Sequence, residues 1–227
     1  MKLRFIALLA VWAAAMPVMA TPTGLNNIPT ADTIAHRTVA VQAFSSFGEG
    51  VNQFAANGPD KHSFWMGFKS GLEFQKLRLE YGLDSPLGPE LSGPLLVQTK
   101  VGFTPWKDGA FALGVAGVAL TDTRRAGDPF TYAMLAHDFK WARLHLGYGI
   151  TTNNDSLLLG IDRSWKVFGN ALNLNVDLVQ TQDERGWMTA LGMKYNLGKH
   201  VVLESWTNLP DQGAASFIGK INFVFSF

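Results

Sequence analysis

The sequence predicts an all-β protein, a transmembrane antiparallel up-and-down β-barrel of about twelve strands, with ten strands as the alternative. Three observations predict this fold class. Apolar residues alternate with polar or small residues along most of the chain. Between the first of these alternating segments, long gaps in the pattern alternate with short ones. The polar side of the runs is rich in glycine, alanine and asparagine, whereas a water-exposed sheet would be richer in lysine and glutamate.

Composition narrows the classes of protein that fit. The chain has 227 residues, of which 47% are hydrophobic and 16% charged, and it contains no cysteine. Such an apolar composition excludes a disordered chain, and the lack of cysteine excludes disulfides, thiol nucleophiles and cysteine-ligated metals. The formal net charge of +1 offers no basic field, so we expect no nucleic-acid partner.

Residues 1–20 have the features of a cleaved signal peptide. Lys2 and Arg4 precede an apolar stretch, residues 5–16, that is too short to span a bilayer. Small residues then stand at the usual cleavage offsets in Val18-Met19-Ala20. We therefore expect export, with an uncleaved N-terminal anchor helix as the alternative.

Twelve alternating runs follow and form one predicted domain, the barrel at residues 38–227. In each clear run, one face is apolar and the other polar or small, which fits a strand better than a helix. The runs 38–47, 130–139 and 201–208 alternate poorly, so their faces stay unassigned and ten strands remain open. The runs are 38–47, 63–74, 77–84, 95–105, 110–121, 130–139, 142–150, 156–165, 171–181, 186–197, 201–208 and 215–227. In chain order, the apolar positions of the clearest runs are Phe64, Met66, Phe68, Leu72 and Phe74; Leu77, Leu79, Tyr81 and Leu83; Val97, Val101 and Phe103; Leu113, Val115 and Ala119; Leu144, Leu146, Tyr148 and Ile150; Leu172, Leu174, Val176 and Leu178; and Ile221, Phe223, Phe225 and Phe227.

The connections between the runs favour a barrel in a membrane over a soluble sandwich or lipocalin-like barrel. Long gaps at 48–62, 85–94 and 122–129 alternate with short ones, although the contrast fades after residue 150. This asymmetry is typical of outer-membrane barrels, which have long outer loops and tight periplasmic turns. The short turns also carry lysines beside tryptophans, as a membrane interface selects, although lysines populate turns in any protein. These lysines are Lys76, Lys107, Lys140, Lys166 and Lys199.

The C-terminal residues carry a membrane-insertion signal. Phe223, Phe225 and Phe227 alternate at the end of the chain, which resembles the terminal-strand signal of bacterial outer-membrane proteins. The resemblance implies the bacterial outer membrane, insertion by the barrel-assembly machinery, and contact with outer-membrane lipid and lipopolysaccharide. The last strand must also pair with the first, because a lipid-exposed edge would leave backbone groups unsatisfied.

The segment at residues 21–37 carries a second resemblance. Its start, Thr21-Pro22-Thr23-Gly24-Leu25-Asn26-Asn27-Ile28-Pro29-Thr30-Ala31-Asp32, resembles the opening of the exopolysaccharide-associated, porin-like YjbH-type family. That resemblance implies a cell-envelope function with polysaccharide as a partner. Two X-Pro bonds favour an extended conformation. We expect a periplasmic N-terminal segment, and both a plug in the barrel mouth and a free segment remain open.

The inward face of the predicted strands supplies the candidate functional residues. Two interpretations compete: either these residues pair across strands and fill a narrow interior, or they line a water-filled pore. Twelve strands enclose more space than the eight that side chains can fill, and basic and acidic residues nearly balance. We therefore expect a porin-like channel for small polar solutes or glycans with weak charge selectivity, with a closed structural or adaptor barrel as the alternative. The predicted lumen-lining residues are Lys69, Glu73, Arg78, Glu80, Lys100, Arg143, His145, Asp162, Asp177, Lys194, Glu204 and Lys220.

We expect no catalytic residue, no metal and no cofactor. The sequence has no G-x-S-x-G motif, and none of its five histidines forms a pair with metal-ligand spacing. His137 and Asp138 are adjacent on a strand and so point to opposite faces. An outer-membrane hydrolase is the weakest alternative. Trp65 and Trp206 are predicted to point inward, where they would either stack a sugar or fill space.

Overall fold

Twelve antiparallel strands make up the fold in the computed structural model, which describes residues 23–48, 62–87, 93–124, 126–180 and 186–227. The predicted signal peptide, residues 1–20, lies outside the described residues. No helix in the described ranges is long and apolar enough to cross a membrane. The strands are β1 (Thr38–Gly48), β2 (His62–Phe74), β3 (Leu77–Pro86), β4 (Leu96–Phe103), β5 (Gly109–Ala119), β6 (Phe130–Asp138), β7 (Arg143–Ile150), β8 (Asp155–Val167), β9 (Asn170–Gln180), β10 (Trp187–Leu197), β11 (Val201–Pro210) and β12 (Ser216–Ser226).

The strands close into a barrel. Each pairs with its neighbours in sequence, and β12 pairs with β1, where Val39 lies opposite Phe225. The predicted fold of about twelve strands is confirmed, and the three poorly alternating runs are β1, β6 and β11. Pairing β1 with β12 leaves no free sheet edge, as the sequence argument required.

The two ends of the barrel differ. The short connections after β2, β4, β6, β8 and β10 share one end, here called the turn end, with the start of β1 and the end of β12. At three of these tight connections a residue other than glycine has positive φ, Gln75 at 56°, Asp108 at 62° and Phe168 at 50°. The opposite end, with the long connections, is called the loop end.

The outward face of the wall is apolar and exposed, and the inward face is mostly polar and buried. Leu146 and Phe225 point outward with 49% and 50% of their surface exposed, whereas Gln42 and Lys100 point inward with 0% and 1%. Strand β6 departs from this pattern, because its inward residues are apolar. This explains why alternation did not reveal its face. The inward residues of β6 are Phe130, Tyr132, Met134 and Ala136, all buried.

The core lies inside the barrel and includes the segment that precedes β1. Leu25, Ile28 and Ala31 are buried there against residues of the wall such as Met134 and Leu158. The described residues of the expected periplasmic segment therefore run into the lumen instead of hanging free. Its residues 23–34 are called the luminal hairpin below.

Candidate functional site: the luminal hairpin and its seat

The luminal hairpin is a short, tight chain reversal. Leu25 N–H donates to the carbonyl of Ile28 at 3.0 Å, and Thr30 N–H donates to the carbonyl of Thr23 at 3.0 Å. Asn26 and Asn27 form the tip, a position that suits asparagine because its short polar side chain tolerates turn conformations. The arms pair at a single bridge, Gly24 with Pro29.

The chain leaves the lumen at the turn end. His36 bridges Gly71 of β2, and its ring Nδ1 accepts the N–H of Glu73 at 2.9 Å. Arg37 then reverses into β1 with φ of 52°, and its carbonyl accepts the N–H of Phe227 at 3.0 Å. The hairpin is thus joined to the wall through one sharp turn, beside the place where β1 pairs with β12.

Asp177 of β9 holds the tip. Its Oδ2 accepts three consecutive N–H groups, from Asn26 at 2.9 Å, Asn27 at 2.8 Å and Ile28 at 3.3 Å. Consecutive N–H groups that converge in this way form an anion-binding concavity. The carboxylate is 1% exposed, so these main-chain donors replace the water that it has lost.

Glu80 of β3 and Lys100 of β4 hold the base. The two carboxylate oxygens of Glu80 accept the N–H of Thr23 at 2.6 Å and of Ile34 at 2.7 Å. Lys100 lies opposite Glu80 in the register, and its Nζ lies 3.6 Å from Oε1 of Glu80. The ammonium donates to the carbonyls of Thr23 at 2.8 Å, of Thr30 at 3.2 Å and of Asp32. Both charges are buried, yet each is paired and hydrogen-bonded, which is the condition for burying them.

Further polar contacts surround the hairpin. Arg143 of β7 pairs with Asp32 at 2.8 Å, and Lys194 of β10 donates to the carbonyl of Gly24. At the tip, Nδ2 of Asn27 donates to Oδ1 of Asn208 at 2.9 Å. Most of these partners therefore contact main-chain atoms of the hairpin, whereas Asn26, Asn27 and Asp32 also make contacts through their side chains.

Small residues in the wall make room for the hairpin. A Cβ at Gly192 would lie 2.0 Å from Oδ1 of Asn26, and a Cβ at Gly160 would lie 2.5 Å from Cδ1 of Leu25. At Gly71 a Cβ would lie 2.3 Å from the carbonyl oxygen of Ile34. Glycine at these positions permits the close approach of the segment to the sheet.

All of the predicted lumen-lining residues occupy inward positions of their strands, and they fall into two groups. Those whose side chains contact the hairpin are Glu80, Lys100, Arg143, Asp177 and Lys194. The others are positioned among wall residues. They are Lys69, Glu73, Arg78, His145, Asp162, Glu204 and Lys220.

Pairing across neighbouring strands also occurs, as the first of the two lumen interpretations proposed. Nε2 of His145 lies 2.7 Å from Asp162, and Nζ of Lys194 lies 3.5 Å from Glu204. Nδ1 of His145 has no hydrogen-bond partner among the described residues, so no hydroxyl nucleophile in this part of the chain is hydrogen-bonded to this imidazole.

Several inward polar residues were missed in the sequence analysis. Asp84 accepts a hydrogen bond from Nε2 of Gln42 at 2.5 Å, and both are fully buried. Period two puts Asp84 on the same face as Glu80, so that signal was present. Buried amides such as Gln98 and Asn175 carry no charge that would single them out.

Both inward tryptophans are packed in the interior. Trp65 stacks on Phe44 with ring centroids 5.7 Å apart, and Nζ of Lys220 lies 5.8 Å from the Phe44 centroid. Trp206 is 6% exposed and packs with Ile218. In this conformation the indoles fill space and offer no open face for stacking a sugar.

The hairpin occupies the lumen and contacts strands on several sides of it, from β3 and β4 to β10 and β11. Around it, the inward residues Lys100 and Asp177 are both 1% exposed. The side chains of Arg143, Lys194 and Glu204 keep 18%, 23% and 11% of their surface exposed. The segment thus narrows the interior.

Comparison with known proteins identifies the fold. No protein-family model and no curated protein matches the chain. Among solved structures, the chain is similar to KdgM porin, with a TM-score of 0.55, 6% identity, and coverage of 82% of this chain and 99% of the other. KdgM porin in complex with disordered oligogalacturonate gives the same TM-score of 0.55 at 6% identity, with 83% and 99% covered. Outer membrane phospholipase A from Escherichia coli gives a TM-score of 0.53 at 10% identity, with 82% and 92% covered. At these identities the likeness shows a shared barrel fold.

Proposed function

We propose that the protein is a porin-like channel of the bacterial outer membrane for small polar solutes or glycans, and that the luminal hairpin narrows its passage. The hairpin itself carries the proposal. It is a non-strand segment inside a barrel of twelve strands, a size whose interior is larger than strand side chains alone fill. Moving it would uncover the charged residues that hold it, beside the apolar inner face of β6.

The balance of charge favours solutes of low net charge. The predicted inward set, extended by Asp84, has as many carboxylates as lysines and arginines, and many of them face an opposite charge on the next strand. A uniform field, which would select strongly for one sign, is therefore missing from this set. One similar structure, KdgM porin in complex with oligogalacturonate, supports glycans as a solute class.

Further parts of the proposal come from sequence signals. The alternating C-terminal phenylalanines support insertion by the barrel-assembly machinery and contact with lipid and lipopolysaccharide. Residues 1–20 support export with a cleaved signal peptide, and residues 21–32 support a link to exopolysaccharide. The absence of enzymatic activity stays a prediction.

A closed structural or adaptor barrel is the second candidate. The observation that favours it is the near-complete burial of Glu80, Lys100 and Asp177 around the hairpin. The two candidates differ in whether the hairpin can be removed to give a conducting barrel.

The deciding experiment compares the full mature chain with a variant that lacks residues 23–34, in planar bilayers and in liposome swelling with neutral and acidic sugars. We expect discrete current steps that are several-fold larger in the deletion variant, and similar swelling rates for neutral and acidic sugars of equal size. A heat-modifiable gel shift is the control for folding. A deletion variant that is demonstrably folded but gives no current steps would favour the closed barrel.

A further inference from the structure

We propose that Asp177, Glu80 and Lys100 form a peptide-binding site in the barrel wall, and that a barrel lacking the luminal hairpin binds residues 21–37 supplied as a separate peptide. The ligand class is a short, turn-forming peptide. The inference deepens the proposed function, because a peptide that binds and dissociates would control the passage through the barrel. Only this control of the passage rests on the proposed function; the peptide-binding site does not.

The seat of the hairpin, formed by Asp177, Glu80 and Lys100, is specific for main-chain groups. Asp177 and Glu80 together accept five backbone N–H groups, and Lys100 donates to three backbone carbonyls. One oxygen of Asp177 takes three successive N–H groups, an arrangement that a folded peptide turn presents. These are the contacts of a peptide receptor, in which backbone hydrogen bonds give affinity.

Side chains of the hairpin add sequence selectivity. Leu25 and Ile28 are 6% and 1% exposed, and they pack against the apolar inner face of β6 and against Leu158. Asp32 pairs with Arg143. A suitable ligand therefore has two branched aliphatic residues that flank a two-residue tip, followed by an acidic residue.

The charge pair of the site is built into the wall independently of the hairpin. Glu80 and Lys100 face each other on adjacent paired strands, so their charges stay paired when the hairpin leaves. The hairpin adds no strand to the sheet and joins the wall through the turn at Arg37. A separate peptide can therefore make all of the contacts of residues 23–34.

The test measures binding of a fluorescent peptide of residues 21–37 to the folded variant that lacks residues 23–34, by anisotropy in detergent. We expect saturable binding, no binding of a scrambled peptide, and at least tenfold weaker binding of a peptide N-methylated at Asn27, which lacks one N–H that Asp177 accepts. Asp177→Asn in the barrel should weaken binding about tenfold, because a neutral amide accepts hydrogen bonds less strongly than a carboxylate. Asp162→Asn is the matched control, because Asp162 contacts His145 and Asn173 of the wall.

The outcomes separate this site from the channel. A conducting barrel whose current the peptide reduces supports both. Conduction with no peptide binding overturns the site and leaves the channel, whereas peptide binding to a silent barrel supports the site and overturns the channel. If the deletion variant does not fold, amide hydrogen exchange in the full chain decides. Exchange at residues 26–28 should be faster in Asp177→Asn and unchanged in Asp162→Asn, and unchanged exchange in both variants would overturn the site.

Discussion

Single residues of the wall decide where the luminal hairpin can lie, and Gly71 shows this at its clearest. A Cβ at Gly71 would stand 2.3 Å from two backbone carbonyl oxygens, those of Ile34 and Ala35. Backbone atoms cannot turn aside as a flexible side chain can, so a methyl group here would force the segment away from β2.

Gly71→Ala should therefore loosen the contact between the hairpin and β2 and leave the strand pairing of the barrel intact. We expect conductance to rise toward that of the variant without residues 23–34, with an unchanged heat-modifiable shift. Gly219→Ala is the control, because its Cβ would meet its nearest neighbour, a ring carbon of Phe217, at an ordinary 3.9 Å. Equal conductance of the two variants would show that the segment tolerates the added methyl group.

At the scale of elements, each strand divides the molecule into an apolar outer surface and an inner one. Because the side-chain period is two, outward residues of neighbouring strands form a continuous belt, as Leu135, Leu146 and Leu159 do across β6, β7 and β8. This belt is what a bilayer would solvate. Aromatic residues such as Trp106, Trp141 and Phe168 are exposed at the turn end, where headgroups would lie.

Two arginine substitutions test this placement. Leu146→Arg, at the middle of β7, should lower the free energy of unfolding from lipid vesicles by about 2–4 kcal/mol, whereas Phe168→Arg, in a turn, should lower it by ~1 kcal/mol or less. Denaturant titration followed by tryptophan fluorescence measures both. Equal costs at the two sites would contradict a bilayer centred on the strands.

The elements were largely predictable from the sequence, and the luminal site only in part. The predicted runs coincide with all twelve strands, although those of β1, β6 and β11 alternate poorly, and alternation put Glu80, Lys100 and Asp177 on the inward face. It did not reveal that the inward face of β6 is apolar, because the residues that cover this face, Leu25 and Ile28, lie far away in sequence.

At the scale of the whole molecule, the protein is a barrel whose own N-terminal hairpin lies in its lumen. The hairpin contacts residues up to 181 positions away, at Asn208, and it is attached to the sheet at the turn end. Solute passage and hairpin position are therefore coupled in the proposed channel, since both use the same space.

A reversible crosslink tests this coupling, and a chain without cysteine is well suited to it. Asn27→Cys combined with Asn208→Cys puts thiols at two residues whose side-chain atoms Nδ2 and Oδ1 lie 2.9 Å apart, within reach of a short, cleavable, bifunctional thiol-reactive crosslinker. We expect the crosslinked barrel to show the lowest conductance and cleavage of the linker to restore the uncrosslinked level. Each single cysteine variant controls for labelling alone. A conductance that the crosslink leaves unchanged would show that solute passage does not depend on movement of the hairpin.

The sequence by itself determined the strands, the faces of those that alternate clearly, and the closed barrel, because these follow from a local period of two and from the need to pair every strand edge. Only the tertiary structure decided that residues 23–34 lie in the lumen. The physical reason is that Asp177, Glu80 and Lys100 bind main-chain atoms. Such contacts leave no pattern of side chains in the sequence, and they form only when distant strands have closed around the segment.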